Sequence, residues 1–431
     1  AMTMGRTPRM SHHVALFCHL WPITFKSPSV QRLLIVGIVI FIGGSRALDA
    51  DSGADSGDDD GVKLTITGAA DTSADTVNVT MSGISTAATG VRKALDHLDV
   101  ANYETVNIKN TKSTGGSELV TLTATSATSV AITGDSELTI GTVSASSLTS
   151  FDASALAGKL TATLGANKVT AKAATKDTKF IFAGNLDNND TVVGGAGKDE
   201  VTATFSGKTA TTGKLNISDV ETLTLATGTN ANTIDLSSVT GLTTLGVVGG
   251  VQTIKGLDLG TTLLTTGGAS SGATFKATAA DATGAADTLK VEAKNNADVT
   301  TNVEAKDIET LSISVNDTTT SSTNTQTFGL TKFEGTTINA TQKSAGTSNI
   351  ALGTLHKNVT NVDTTGIKGT QSFSLASGTA AATVNLAGTG QASVGGSAKA
   401  DTFTIAKTST NINHSVTGNG GTDSVTMTVT D

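Results

Sequence analysis

Gly194-Gly195-Ala196-Gly197-Lys198-Asp199-Glu200-Val201-Thr202 places glycine first, second and fourth, aspartate sixth and a large apolar residue eighth in a run of nine. The pattern G-G-x-G-x-D-x-U-x, with U apolar, is that of a calcium-binding parallel β-roll. Glycines allow a tight turn that a side chain would block. The carbonyls of Gly195 and Gly197 and the Asp199 carboxylate are hard oxygen donors, which suit Ca2+. The preceding nine residues, 185–193, put Asp190 sixth and Val192 eighth, with Asp187 and Asn188 as further oxygen donors. Asp190 and Asp199 are thus nine apart, a spacing that predicts one turn in register. Looser copies run over 396–404, around Asp401, and over 418–426, around Asp423. A single copy supplies only half a coordination shell.

A second pattern repeats at longer range. Glu104-Thr105-Val106-Asn107-Ile108, Glu221-Thr222-Leu223-Thr224-Leu225 and Glu309-Thr310-Leu311-Ser312-Ile313 share one form. Each follows a lead aspartate, Asp75, Asp199 or Asp287, by 29, 22 and 22 residues. Asp423 opens a further unit of the same kind. Such periodicity predicts modules that each bury a face against the next.

Enzyme motifs fare less well. His97, His356 and His414 are the only histidines beyond the first 48 residues, and none lies in H-E-x-x-H. Gly268-Ala269-Ser270-Ser271-Gly272 fits G-x-S-x-G but lacks the strand and helix that a nucleophile elbow needs. Gly207-Lys208-Thr209 lacks the earlier glycine of a phosphate-binding loop. A parallel β-helix carbohydrate-active enzyme is the remaining catalytic alternative, with Asp152, Asp235 and Asp363 as its surface carboxylates. Arg92 is the sole arginine beyond the first 48 residues, which leaves little for that chemistry.

The elements that must position these groups read as short strands. Val120-Thr121-Leu122-Thr123-Ala124 and Val201-Thr202-Ala203-Thr204-Phe205 alternate apolar residues with threonine between Gly, Asn, Asp and Ser punctuation. Aromatic residues make up only 3% of the chain, so the core is predicted as thin layers of Ala, Val, Ile and Leu stacked in rows. Helical spacing appears over Val91 to Val100, with a possible short turn near Ser154 to Leu156.

Residues 1–47 differ from the rest. They contain Cys18, the only cysteine, and Trp21, the only tryptophan, together with all three prolines. The apolar run Leu33 to Ile42 behind Arg32, followed by Ser45-Arg46-Ala47, is predicted as a signal or anchor. Residues 48–61 read as an acidic Ser/Gly linker. The net charge of −8 includes five basic and no acidic residues in the first 48 positions, which leaves −13 beyond them. An acidic body excludes nucleic acid as the expected partner. It also contains no cysteine for a disulfide, a stabilising role that calcium could take instead.

The ordered set of elements resembles the RTX-type bacterial surface-layer proteins. A Gly/Asp nonapeptide precedes a Thr-rich strand, then Val220 to Leu225, Ile234-Asp235-Leu236-Ser237-Ser238 and Gly241-Leu242-Thr243-Thr244-Leu245. The likeness covers roughly residues 62–431. It implies an all-β, elongated β-solenoid or β-roll-like array of short-strand modules. Its boundaries are expected at 62–184, 185–284, 285–395 and 396–431, the last only the start of a module. It further implies a non-enzymatic, extracellular, cell-surface protein that self-assembles into a Ca2+-ordered lattice or filament. The implied metal ligands are Asp187, Asn188, Asp190, Gly195, Gly197, Asp199, Asp401 and Asp423. The implied partners are copies of itself and a cell-surface polysaccharide, with no transmembrane span in the mature body. A secreted RTX adhesin or matrix protein is the alternative.

Overall fold

The computed structural model describes residues 37–41, 62–67, 75–82, 94–111, 116–165, 168–182, 184, 186–204, 211–226, 231–248, 251–266, 273–279, 284, 286–294, 298–317, 324–344, 347–408 and 412–429. The chain divides into two units, Ala1–Val36 and Gly37–Asp431. All described residues belong to the second, so most of the predicted leader and the whole 48–61 linker lie outside them. Gly37–Phe41, within the apolar run, is a strand paired with Thr76–Ser82.

Every regular element among the described residues is a β-strand, and the named strands pair in parallel, as in a β-solenoid. One long sheet starts at Val62–Thr67 and Ala94–Ala101. It continues through Leu160–Leu164, Thr178–Phe182, Glu200–Thr204, Thr222–Ala226 and Thr244–Val248 to Ser424–Val429. Its first and last strands are not paired with each other among the described residues, so it is a ladder and not a barrel. After each long-sheet strand the chain crosses to a return sheet and comes back one coil later. The first return sheet has 8 strands and ends at Asn216–Ser218; the second has 10 and begins at Thr211–Lys214. The long sheet continues unbroken past residues 184, 284 and 395.

Alternating sequence produces this architecture because period two sends every second side chain inward. Leu160–Leu164 and Thr310–Val315 show that pattern of burial. Across the coils the inward residues line up in rows. Ala162, Phe180, Val201, Leu223, Leu245 and Leu263 are direct neighbours on the long sheet, each at most 2% exposed. Val130, Phe151, Ala171, Val192 and Ile217 form the facing row. Each phenylalanine has alanine in an adjacent coil, Ala162 beside Phe180 and Ala171 beside Phe151. Large beside small keeps the row filled without forcing the coils apart.

The two helical expectations are corrected, and both have the same cause. Residues 94–101 form a strand, and Ser154 to Leu156 end the strand Ser150–Leu156. Leu95 and Leu98 are buried with Asp96 and His97 between them, so two consecutive residues lie between inward ones. Leu119 and Leu122, Ile140 and Val143, and Ala153 and Leu156 repeat the arrangement. Pairing partners shift at this point, the mark of a β-bulge. A bulge gives apolar residues an i, i+3 spacing, which in sequence looks like one face of a helix.

Candidate functional site

Asp190, Asp199, Asp401 and Asp423 sit at the heads of strands, where each carboxylate reaches back to the preceding coil. Asp199 is 3% exposed, and its Oδ1 accepts the Thr178 N–H at 2.8 Å across 21 residues. Its Oδ2 accepts the Gly195 N–H at 2.7 Å. Asp190, 1% exposed, accepts Val169 N–H at 3.0 Å and Asp187 N–H at 2.9 Å. Asp401 accepts Ala382 N–H at 2.8 Å and Ser397 N–H at 2.6 Å, and Asp423 in turn accepts Asp401 N–H at 2.9 Å. Asp187 closes its own turn by accepting Asn189 N–H, and the Asn188 carbonyl accepts Asn216 Nδ2.

The spacing of nine residues between Asp190 and Asp199 is not one turn. Asp190 heads a strand of the first return sheet and Asp199 one of the long sheet. The true repeat is the 19 to 22 residues that separate each of these aspartates from the amide it caps in the coil before.

The Glu-Thr-Leu repeat belongs to the same ladder. Asp199 N–H donates to Glu221 Oε2 at 2.7 Å, Asp287 N–H to Glu309 Oε2 at 2.9 Å, and Asp75 N–H to Glu104 Oε2 at 2.8 Å. The intervals of 22, 22 and 29 residues are therefore single coils. Sequence reasoning missed the residue two places before each glutamate. Asn102, Asp219 and Asp307 hold φ of 63°, 55° and 59°. Asn and Asp tolerate this left-handed turn better than other side chains, so their presence at that offset was the available signal.

The ladder stacks acids at one strand spacing, about 4.8 Å. Burial pushes the Asp199 carboxyl up, the N–H groups of Gly195 and Thr178 oppose this, and the charges of Glu221 and Asp177 push it further up. Burial likewise raises Asp190, against its bonds from Val169 and Asp187.

No group of three or more His, Cys, Asp or Glu side chains that could hold a metal occurs among the described residues. The oxygens of Asp190, Asp199 and Asp401 are turned onto backbone N–H groups. The glycines act by closeness. Gly197 has φ of 116°, and a Cβ there would meet Asp177 N at 2.6 Å, while one at Gly195 would strike the Ala174 carbonyl. Gly197→Ala is expected to cost about 1–3 kcal/mol from left-handed strain and crowding, read as a lowered urea midpoint with cleavage by protease near 197.

The carboxylates of the enzyme alternative close local bends. Asp152 accepts Ser154 N–H and Oγ–H at 3.0 and 2.6 Å and pairs with Lys172 at 3.0 Å. Partial burial pushes Asp152 up, but these bonds outweigh it and hold the carboxyl below its ordinary range. Bonds from the Ser237 hydroxyl and N–H lower Asp235 in the same way. Asp363 accepts Thr365 N–H and Oγ–H at 2.9 and 2.7 Å.

Fold and ladder together define a β-solenoid repeat protein whose coils are clasped by carboxylates. No family model, curated protein or solved structure matches the chain. No helix among the described residues is long and apolar enough to cross a membrane.

Proposed function

We propose that this chain is a structural, non-enzymatic protein of the cell exterior that assembles with copies of itself, with its carboxylate column ordered by Ca2+. The observation that carries the reading is the stack of Asp177, Asp199 and Glu221, acids on successive coils: burial raises the Asp199 carboxyl, and the charges of Glu221 and Asp177 push it further up. A divalent cation held beside this column, with backbone carbonyls supplying the ligands that the side chains lack, would relieve that repulsion and tie coil order to the metal. Self-assembly draws on the parallel strand itself, whose edge offers N–H and C=O groups that another copy can pair with.

The test is a calcium titration of the full chain. Protection of the Val169 and Thr178 amides against hydrogen exchange is followed together with light scattering. Asp190 and Asp199 are held above the ordinary 3.8, so the folded chain keeps their protons to higher pH than the unfolded chain. Without metal, their contribution to order is full below 3.8 and lost as pH rises through the raised values. Bound Ca2+ favours the charged form, so it should raise protection at neutral pH and reverse that trend. No change between EGTA and millimolar calcium would remove the metal from the reading. Ordered sheets in electron micrographs after calcium addition would favour assembly, whereas calcium-ordered monomers that bind cells would favour the adhesin.

A further inference from the structure

On the outer face of the second return sheet, Thr253, Lys276, Glu304 and Lys332 are direct neighbours on four successive coils. Glu304 lies between the two lysines, with Lys276 Nζ at 3.5 Å and Lys332 Nζ at 3.1 Å. The lysines are two coils apart, on the order of 10 Å. They remain accessible, with side chains 43% and 67% exposed, while Glu304 is 25% exposed.

The surface is concave here for a reason visible in the pairing. Strand Thr325–Phe333 carries the two-residue bulge, with Thr331 and Lys332 both outward between Leu330 and Phe333. Its neighbour Val299–Ala305 does not, so the register shifts between Asn302 and Glu304. The result is an open cleft of about 360 Å³, bordered at the coil corners by Lys306, Glu334 and His356. His356 Nδ1 accepts the Asn358 N–H at 3.4 Å.

Among the described residues three lysines face two glutamates in this cleft, in a chain whose net charge is −8. By contrast, Lys159 with Asp177, Lys172 with Asp152, Lys179 with Glu200 and Lys343 with Glu292 each match one lysine with one acid. We propose that the cleft binds the anionic chain of an acidic polysaccharide, whose carboxylates engage Lys276 and Lys332 across the coils while its hydroxyls meet Thr253, Thr331 and His356. An open groove crossing several coils suits a polymer better than a small molecule, which is usually enclosed. Among the described residues no aromatic side chain lines the cleft, so they offer nucleobases no stacking platform. The site requires neither calcium nor a lattice, so it stands or falls separately from the proposed function.

The experiment is affinity electrophoresis and calorimetry of the full chain with polygalacturonate, with neutral dextran and a single-stranded DNA oligonucleotide as comparisons. Polygalacturonate alone should retard the protein, and increasing salt should weaken the interaction. The double variant Lys276→Ala/Lys332→Ala should bind at least about tenfold more weakly, the effect of losing two charge-assisted contacts. Lys399→Ala, an exposed lysine elsewhere, should leave binding unchanged. Glu304→Gln separates a ligand site from a purely structural ladder. Removing the central negative charge should tighten polygalacturonate binding several-fold even if thermal stability falls. The proposal is overturned if polygalacturonate does not bind at low salt, or if dextran or DNA binds as well. Unchanged binding by the lysine double variant, or weaker binding by Glu304→Gln, would also overturn it.

Discussion

Phe180→Ala is expected to lower stability by about 3–5 kcal/mol, the range for truncating a buried aromatic. Phe180 is 2% exposed on the long sheet and Phe151 is fully buried on the first return sheet. Their rings meet edge to face, 6.0 Å between centroids and 87° between planes, which adds to the area buried. The adjacent coils place an alanine on one side of each ring, Ala162 or Ala171, and a valine on the other, Val201 or Val130, so little side-chain volume is available to fill the space. Contacts in a solenoid are mostly between adjacent coils, so the loss should appear as a separate early transition in urea and not as a uniform shift. A loss below about 1 kcal/mol would show that the two sheets close over the gap.

Asp199→Ala should have the next largest effect, about 2–4 kcal/mol. It removes the acceptor of two N–H groups, those of Thr178 and Gly195, and a donor to a charged group left unpaired in a buried place costs more than an ordinary hydrogen bond. Asp199→Asn keeps one oxygen and should lose less. Limited proteolysis across 186–204 and urea unfolding together read the effect, and unchanged protease resistance in Asp199→Ala would show that the ladder does not hold this coil. Because the two N–H groups lie on different coils, the variant tests the joint between coils as well as the local bend.

Much of this architecture could be read from the chain because period-two burial and coil-length repetition are both written in residue order. Thr222-Leu223-Thr224-Leu225 shows its strand directly, with its leucines inward. The intervals from Asp199 to Glu221 and from Asp287 to Glu309 are each one coil, although the sequence reads with nine residues as the turn. What could not be read was what those acids face. A carboxylate that caps an amide in the previous coil and one that holds a cation use the same residue beside the same glycines. Only the pairing register separates them, and register depends on neighbours 21 or 22 residues away. Leu95 and Leu98 misled for a related reason. A bulge changes which side of the strand the next residue faces, and its signal is the matching bulge in the adjoining coil at Leu119 and Leu122. The Lys276, Glu304 and Lys332 row was equally hidden, since its members are 28 residues apart and belong to no motif.

Coil length itself is variable. Asn78 and Asn107 are 29 residues apart, and Leu160 and Thr178 only 18, yet both pairs are immediate partners on adjoining strands. Extra chain is accommodated outside the paired positions, so corners can lengthen, shorten or change composition while the interior rows keep their alignment. Such a frame lets descendants of one sequence carry very different exteriors, and it gives an engineer sites to graft a foreign peptide without redesigning the interior.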